Sequence, residues 1–267
     1  MKRKPRRHQD AKRNLRIGLC FTLDVLLLPL YKKKLPKLDV LLFPELMDGG
    51  YAALKRGMKP HTLTDGFVSI LRNASKEFSN TIIAGSTILK AGTSRPTNTS
   101  LVFSRGKLIH RYDKIHLFKP TGDTTFFTRG SKAEAFTLHA QKTPLRAGIA
   151  ICYDLRFPEL TRAMALDGMQ LLFVPARWPV VRDNAWQTML KARAIENQIF
   201  VVGCDSLDDE GGYSYAFDPL GKLVFTNRTR SRRLLQRFEI DLNELDKARK
   251  LHQNLEDAIL LRERLKR

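Results

Sequence analysis

The segment PLRAGIAICYDLRFPEL, residues 144–160, contains the residue best suited to nucleophilic chemistry. Cys152 closes an apolar stretch, and the chain then passes a short polar turn before Pro158, a residue that favours the first turn of a helix. A thiol at a sharp strand-to-helix turn is exposed to substrate, and the backbone N–H of Tyr153 can then bind an oxyanion. An inert core cysteine is the alternative, and it is the interpretation that we prefer for Cys20 and Cys204.

A carboxylate follows another apolar segment, DVLLF, and a proline. This residue, Glu45, is thereby held at the end of a predicted strand, where a low dielectric can raise its pKa toward that of a working general base. Considered alone, a loop carboxylate without catalytic function is the commoner explanation.

The third candidate is Lys114, in HRYDKIHLF. Strand alternation puts Tyr112, Lys114 and His116 on one face, so the lysine can point inward. Its ammonium could then stabilise the oxygen that becomes negative as a tetrahedral intermediate forms. Considered alone, a solvated strand lysine is the commoner explanation.

These three residues require a framework of strands and helices to bring them together. Apolar, β-branched runs alternate with amphipathic stretches from residue 15 to about residue 245, which is typical of a layered α/β fold. Strands are predicted at residues 15–21, 39–45, 81–89, 98–104, 107–118, 134–140, 144–154, 170–176, 199–206, 213–219, 222–227 and 232–240. Helices are predicted at residues 61–78, 158–168 and 183–198, and residues 241–267 are predicted to be helical at least in part.

The length of 267 residues and the absence of a composition shift predict one domain, residues 15–245. A basic arm precedes it at residues 1–14, and a basic, helical extension follows it at residues 246–267. No apolar run approaches the roughly 20 residues of a membrane-spanning helix, so we expect no membrane partner. Three cysteines do not suggest a disulfide framework, and we expect a reducing, cytoplasmic environment.

The formal net charge of +20 is concentrated at the two ends of the chain. Residues 1–16 hold eight Lys or Arg and one Asp, and residues 228–267 hold twelve Lys or Arg and seven Asp or Glu, which gives +7 and +5. No stripe of interleaved aromatic and basic residues occurs between them, so the sequence does not favour specific nucleic-acid recognition. A solvated basic surface is the preferred explanation.

Taken together, the motifs resemble the carbon-nitrogen hydrolase (nitrilase) superfamily over residues 15–245. The resemblance rests on four segments in the same order: FPEL with Gly50 and Tyr51 downstream, YDKIHLF, CYDLRFPEL, and WPVVRDNAWQTMLKARAIENQIFVVGCDS. It implies that Glu45 is the general base, Lys114 the electrostatic catalyst and Cys152 the nucleophile. It also implies a four-layer α-β-β-α sandwich and a homodimer.

CYDLRFPEL, the WP dipeptide and ARAIENQ are closest to the omega-amidase (2-oxoglutaramate amidase) branch, which acts on short ω-amides of dicarboxylates. For such substrates we consider Arg156, Arg177 and Arg182 as partners of the distal carboxylate, each with a structural ion pair as the alternative. Tyr51 and Trp178 are further candidates for substrate binding, whereas Trp186 lies on a predicted helix and suits packing.

The sequence departs from the family pattern at four places. Residues 23–38 are too short for the usual first outer helix, which we expect to be shortened. Asp123 stands where many members have a glutamate that supports the lysine. Arg177 and Asp205 stand where relatives usually have asparagine, and the C-terminal strand that exchanges between subunits is replaced.

The sequence therefore predicts cofactor-independent hydrolysis of an amide bond through a cysteine thioester, with release of ammonia and a carboxylic acid. The six histidines are dispersed, and we expect no metal site. Two alternatives stay open. The chain could hydrolyse an N-carbamoyl compound, a nitrile or another amide, or it could be a catalytically silent basic binding protein.

Overall fold

The computed structural model describes residues 13–21, 38–47, 49–56, 60–78, 82–89, 95–140, 144–208, 211–228 and 233–258. The shortened helix expected within residues 23–38, nearly all of the basic arm and the last nine residues of the C-terminal extension lie outside these ranges. None of the described helices is long and apolar enough to cross a membrane.

Two six-stranded sheets form the centre of the molecule. The first has the order β12-β1-β2-β3-β4-β5, and its strands are β1 (Asn14–Cys20), β2 (Val40–Leu42), β3 (Ile82–Leu89), β4 (Thr97–Ser104), β5 (Lys107–Asp113) and β12 (Leu235–Asp241). The second has the order β11-β10-β9-β8-β7-β6, and its strands are β6 (Phe136–Leu138), β7 (Leu145–Ile149), β8 (Leu171–Ala176), β9 (Phe200–Asp205), β10 (Tyr215–Phe217) and β11 (Leu223–Thr226). In each sheet three neighbouring strands are parallel, β1 to β3 and β7 to β9.

Alternation along the strands decides which side chains face the other sheet. The shared core includes Ile17, Val40 and Val102 from the first sheet, with Ile149, Phe173 and Val202 from the second. The opposite faces of the strands are also apolar, because helices cover them. This pattern, apolar on both faces, is expected for parallel strands inside a layered α/β fold.

The described helices are α1 (Gly50–Lys55), α2 (Pro60–Glu77), α3 (Asp123–Phe126), α4 (Pro158–Leu166), α5 (Asp183–Asn197) and α6 (Asn243–Leu251). Helix α2 packs Leu71 and Ala74 against Phe103 of the first sheet, in a core separate from the one between the sheets. Helix α5 covers the second sheet, where Gly203 of β9 lies directly under Trp186. These layers form the predicted α-β-β-α sandwich.

Among the predicted strands, β5 and β7 show the largest difference between their predicted and observed ends. Strand β5 ends at Asp113 rather than at residue 118, because the N–H groups of His116 and Phe118 donate to carboxylates instead of a neighbouring strand. Strand β7 ends at Ile149 rather than at residue 154, and Cys152 begins a 3-10 helix that ends at Arg156. Both early ends leave the chain free to bend at the candidate catalytic residues.

Candidate active site

Glu45 lies three residues beyond β2, with its side chain fully buried. Its Oε1 accepts hydrogen bonds from Lys114 Nζ at 2.8 Å, Asn98 Nδ2 at 2.8 Å and the Tyr51 hydroxyl at 3.1 Å. Its Oε2 accepts the backbone N–H of Arg177 at 3.2 Å. Three donors therefore hold one carboxylate oxygen, and the other is left better able to accept a proton.

Lys114 follows β5 and is buried with two carboxylates. Its Nζ lies 2.8 Å from Glu45 Oε1 and 2.7 Å from Asp123 Oδ2. Burial by itself lowers the pKa of Lys114, but the negative charge of Glu45 and neighbouring acidic groups outweighs it, and the pKa lies well above its ordinary value. The side chain is therefore a fixed cation rather than a base.

Asp123 begins α3 and is the second carboxylate that binds the Lys114 ammonium. Its Oδ2 also accepts the N–H of Phe118 at 3.0 Å, and its Oδ1 accepts the Thr121 hydroxyl at 3.0 Å. The shorter aspartate side chain therefore still reaches the ammonium.

Two residues that the sequence analysis did not single out orient Glu45. The hydroxyl of Ser86 donates to Asn98 Oδ1, which turns the amide NH₂ of Asn98 toward the glutamate. The N–H of Leu46 in turn donates to Ser86 Oγ at 3.3 Å. Polar residues in otherwise apolar strands were the available signal, because buried polar groups require partners.

Cys152 lies beyond the end of β7, at the first residue of the 3-10 helix. Its φ of 48° is in the left-handed region, which in a non-glycine residue stores roughly 1–3 kcal/mol of strain and is typical of functional sites. Its Sγ lies 3.8 Å from the carbonyl oxygen of Arg177. Burial and the negative charge of Glu45 raise the pKa of the thiol well above its ordinary value, although Lys114 opposes them.

The bend at Cys152 also places Tyr153 in the first turn of the 3-10 helix. The first N–H groups of a helix have no acceptor within it, so this position can present a donor to a bound anion. The Tyr153 ring packs against Phe118 and Phe157, with centroid distances of 4.8 Å and 5.3 Å.

A cavity of about 250 Å³ opens onto Cys152. It is lined by Tyr51, Lys55, Lys114, Phe118, Thr121, Cys152, Tyr153, Arg156, Arg177, Trp178, Pro179 and Arg182. The structure thus brings every predicted site residue except Glu45 and Asp123 to one cavity wall. Those two are buried, and both bind the ammonium of Lys114, which does line the cavity. Lys55, which the sequence analysis did not single out, joins them from the end of α1.

The arginines in this wall differ in what they already bind. The Arg177 guanidinium is buried and donates to the carbonyl oxygen of Glu45 at 2.8 Å and to Asp208. This geometry favours the structural ion pair over a substrate contact for Arg177. Arg156 and Arg182 instead lie over the Trp178 ring, at 4.9 Å and 5.8 Å from its centroid, with no carboxylate among their described contacts.

Trp178 and its neighbours fix the rear of the cavity. The Trp178 ring stacks on Trp186 with a centroid distance of 5.2 Å, and its N–H donates to the carbonyl oxygen of Arg182. Its backbone N–H donates to Asp205 Oδ1 at 2.8 Å. Trp186 is fully buried on α5, as its helical position indicated.

Metal ligands require a cluster of suitable side chains. Within the described ranges, no group of three or more His, Cys, Asp or Glu residues is arranged to hold a metal ion.

Comparisons with known proteins give one consistent family. The sequence pattern described as "Carbon-nitrogen hydrolase" matches residues 23–250. A protein named "Hydrolase in agr operon" from Staphylococcus lugdunensis is 34% identical over 212 residues, which are 77% of this chain and 89% of that protein. A "2-oxoglutaramate amidase" from Bacillus subtilis is 34% identical over 211 residues, which are 77% of this chain and 79% of that enzyme.

Among solved structures, a carbon-nitrogen hydrolase from Helicobacter pylori superposes with a TM-score of 0.80. It is 19% identical in sequence, and the match covers 93% of this chain and 96% of that one. The likeness establishes the same fold.

Proposed function

Because this chain belongs to the carbon-nitrogen hydrolase family, we propose that it hydrolyses an amide bond with Cys152 as nucleophile, Glu45 as general base and Lys114 as oxyanion-stabilising cation. The observation that carries the proposal is that Lys114 and Cys152 line one cavity, while Glu45, from a segment far away in sequence, binds the Lys114 ammonium. A general base, a fixed cation and a strained thiol together meet the needs of acyl transfer.

In the first step the Cys152 thiol transfers its proton to Glu45 as the sulfur attacks the amide carbon. Oε2 of Glu45 is the natural acceptor, since three donors already occupy Oε1. The carbonyl oxygen becomes negative and is stabilised by the Lys114 ammonium and the Tyr153 N–H. The raised pKa of the thiol makes proton transfer to Glu45 necessary, because little thiolate exists beforehand.

In the second step the protonated Glu45 gives this proton to the amide nitrogen, the C–N bond breaks, and ammonia leaves. The acyl group remains on Cys152 as a thioester. Glu45 then deprotonates a water that attacks the thioester carbon, and the resulting intermediate releases the carboxylic acid while the sulfur regains a proton. Lys114 stabilises the oxyanion in both halves of the reaction and keeps its own proton throughout.

For the substrate we propose a short ω-amide that carries a distal carboxylate, in line with the relative named 2-oxoglutaramate amidase. The cavity volume of about 250 Å³ suits a small acid. Arg156 and Arg182 are the cations best placed to bind the carboxylate, because their planar groups lie over Trp178 at the cavity wall. Arg177 is left to its buried contacts with Glu45 and Asp208.

The decisive experiment measures ammonia release from a panel of ω-amides, neutral amides, N-carbamoyl compounds and nitriles. We expect ω-amides with a distal carboxylate to exceed their neutral analogues by about tenfold or more in kcat/KM, which corresponds to about 1.4 kcal/mol. Faster ammonia release from N-carbamoyl compounds or nitriles would show that these, and not ω-amides, are the preferred substrates. No release from any compound would favour the catalytically silent alternative.

Variants at the cavity separate the roles of its residues. Cys152→Ala should abolish turnover, whereas Cys204→Ala should largely spare it, because Cys204 lies inside the core between the sheets. Arg156→Leu or Arg182→Leu should reduce the preference for the charged substrate and spare the neutral amides. Arg146→Leu is the control, since Arg146 pairs with Asp167 at the surface.

We further propose a homodimer formed through the outer helices. Ile195 on α5 and Leu220, which immediately precedes the Gly221 that lies against Ile195, are 42% and 46% exposed, although both are large apolar side chains. Sedimentation velocity should give twice the mass of one chain, and Ile195→Lys should shift the equilibrium toward the monomer. A native protein that sediments as a monomer would contradict the proposed dimer.

A further inference from the structure

Asp154 is a fully buried carboxylate that the proposed mechanism does not use. Its Oδ2 accepts the Tyr112 hydroxyl at 2.7 Å and the backbone N–H of Ile151 at 3.1 Å. Its Oδ1 accepts the backbone N–H of His116 at 2.7 Å and His116 Nδ1 at 2.8 Å. We refer to Tyr112, His116, Ile151 and Asp154 as the Asp154 cluster.

The partners of Asp154 lie next to both Lys114 and Cys152 in the sequence. Tyr112 and His116 lie two residues before and two residues after Lys114, and Ile151 immediately precedes Cys152. One carboxylate therefore joins the segment that carries the catalytic cation to the segment that carries the nucleophile. Pairing with a neighbouring strand ends close by in both segments, since the N–H groups of Lys114 and Ala150 still donate to β4 and β8, whereas those of His116 and Ile151 donate to Asp154.

We infer that Asp154 is a positioning residue that fixes the distance between the Lys114 ammonium and the Cys152 thiol. The inference rests on the proposed function of these two groups. A ring contact also restrains the two segments, because the His116 ring stacks on the Phe157 ring with a centroid distance of 3.6 Å and an angle of 8° between the planes. A carboxylate is the group required here, since all four contacts come from donors and a carboxylate is acceptor-only.

Asp154→Asn tests this inference, because an amide NH₂ cannot accept the hydrogen bonds that one carboxylate oxygen now accepts. We expect kcat to fall about 100-fold or more with KM changed by less than about threefold, as a small misplacement of catalytic groups affects the transition state more than binding. The matched control is Asp218→Asn, since Asp218 is also a buried carboxylate that accepts two backbone N–H groups, in the turn between β10 and β11. It should stay within about twofold of the native kcat.

A double-mutant cycle tests whether Asp154 connects the two segments or acts only on its own surroundings. Tyr112→Phe keeps the charge of Asp154 and removes one contact on the lysine side, and should lower kcat about tenfold. If the cluster acts as one unit, adding Tyr112→Phe to Asp154→Asn should cause little further loss. Losses that multiply would show independent effects and overturn the inference, as would a folded Asp154→Asn variant with native kcat.

A readout that does not depend on turnover is the pH profile of Cys152 alkylation by iodoacetamide. Displacement of the thiol from its buried place beside Glu45 should move its apparent pKa toward that of an ordinary thiol in Asp154→Asn but not in Asp218→Asn. An unchanged profile overturns the inference.

If the native chain releases no ammonia from any amide, the proposed function fails and this profile alone decides the role of Asp154. If Asp154→Asn does not fold, kcat and the profile of Tyr112→Phe decide it.

Discussion

At the scale of single residues, Glu45 influences Cys152 in two opposing ways. In the proposed mechanism the carboxylate accepts the thiol proton, yet its negative charge is one of the causes that raise the pKa of the thiol. Lys114 acts in the opposite direction on the thiol and pairs with the same glutamate. This balance supports the proposed mechanism, in which a neutral thiol loses its proton to a separate base.

Glu45→Gln should therefore abolish measurable turnover while it lowers the apparent pKa of Cys152. The amide can still accept a hydrogen bond from Lys114, but it neither removes the thiol proton nor repels the thiolate. The rate of iodoacetamide alkylation as a function of pH measures the effect, with Cys152→Ala as the control for other thiols. Alkylation that rises only at a higher pH than in the native protein would contradict the electrostatic account.

Asp205 gives a second prediction at this scale. It is fully buried, its Oδ2 has no hydrogen-bond partner among the described residues, and burial raises its pKa well above the ordinary value. The folded state then keeps a proton that the unfolded chain has lost, so this residue reduces stability as the pH rises above about 4.

Asp205→Asn should consequently stabilise the protein at neutral pH, by roughly the 1–3 kcal/mol associated with a buried unsatisfied polar group. The amide resembles the protonated acid, so the gain should shrink as the pH falls toward about 4. Urea unfolding at several pH values measures it. A loss of stability at pH 7 would mean that the ionised carboxylate has a partner in solution.

At the scale of elements, the loop after α3 approaches the end of β5 very closely. A Cβ on Gly130 would lie 2.1 Å from the carbonyl oxygen of Asp113, and the N–H of Gly130 donates to the carbonyl oxygen of Lys114 at 2.8 Å. Glycine is required at this position because the obstacle is backbone rather than a flexible side chain. The hydrogen bond from Gly130 helps to hold the backbone of Lys114 in place.

Gly130→Ala should lower both stability and turnover, with about 1–3 kcal/mol lost in the free energy of unfolding, a range typical of overpacking. Gly66→Ala is the matched control, since Gly66 lies exposed within α2 and nothing stands within 4 Å of its added Cβ. That variant should gain about 0.5–1 kcal/mol from the higher helix propensity of alanine and keep native kcat. Equal behaviour of the two variants would remove the proposed support of Lys114.

At the scale of the whole molecule, residues 1–16 and 228–267 together hold +12 of the net charge of +20. Arg13 is held against the C-terminal part of the domain, because its carbonyl oxygen accepts the N–H of Leu242 at 3.0 Å and its guanidinium lies 3.3 Å from Asp246. From Asn14 onward the chain pairs with β12. We therefore predict that residues 1–12 are dispensable for catalysis, because none of the described residues that line the cavity belongs to them.

Deletion of residues 1–12 should leave kcat/KM within about twofold of the native value. Extension of the deletion through Arg16 is the contrasting variant, because it removes the start of β1 and the ion pair between Arg16 and Asp39. That longer deletion should lower the melting temperature. If the shorter deletion gives a soluble protein without activity, the arm contributes to the site or to the dimer.

The sequence by itself determined the catalytic candidates and the layered fold, because both depend on local patterns. Alternation of apolar residues identified the strands, and Glu45 and Cys152 could be placed at strand ends from their immediate neighbours alone. The helices at residues 60–77, 158–166 and 183–197 also agree closely with their predicted bounds.

Only the tertiary structure decided which polar groups hold the candidates in place. Arg177 donates its N–H to a carboxylate 132 residues earlier, and Asp154 binds side chains 38 and 42 residues away. Such contacts depend on how the two sheets pack and not on local periodicity. The early end of β5 has the same origin, since the N–H of His116 donates to Asp154, which lies 38 residues later. Strand β7 ends early for a local reason, because the N–H of Ile151 donates to the same carboxylate only three residues later.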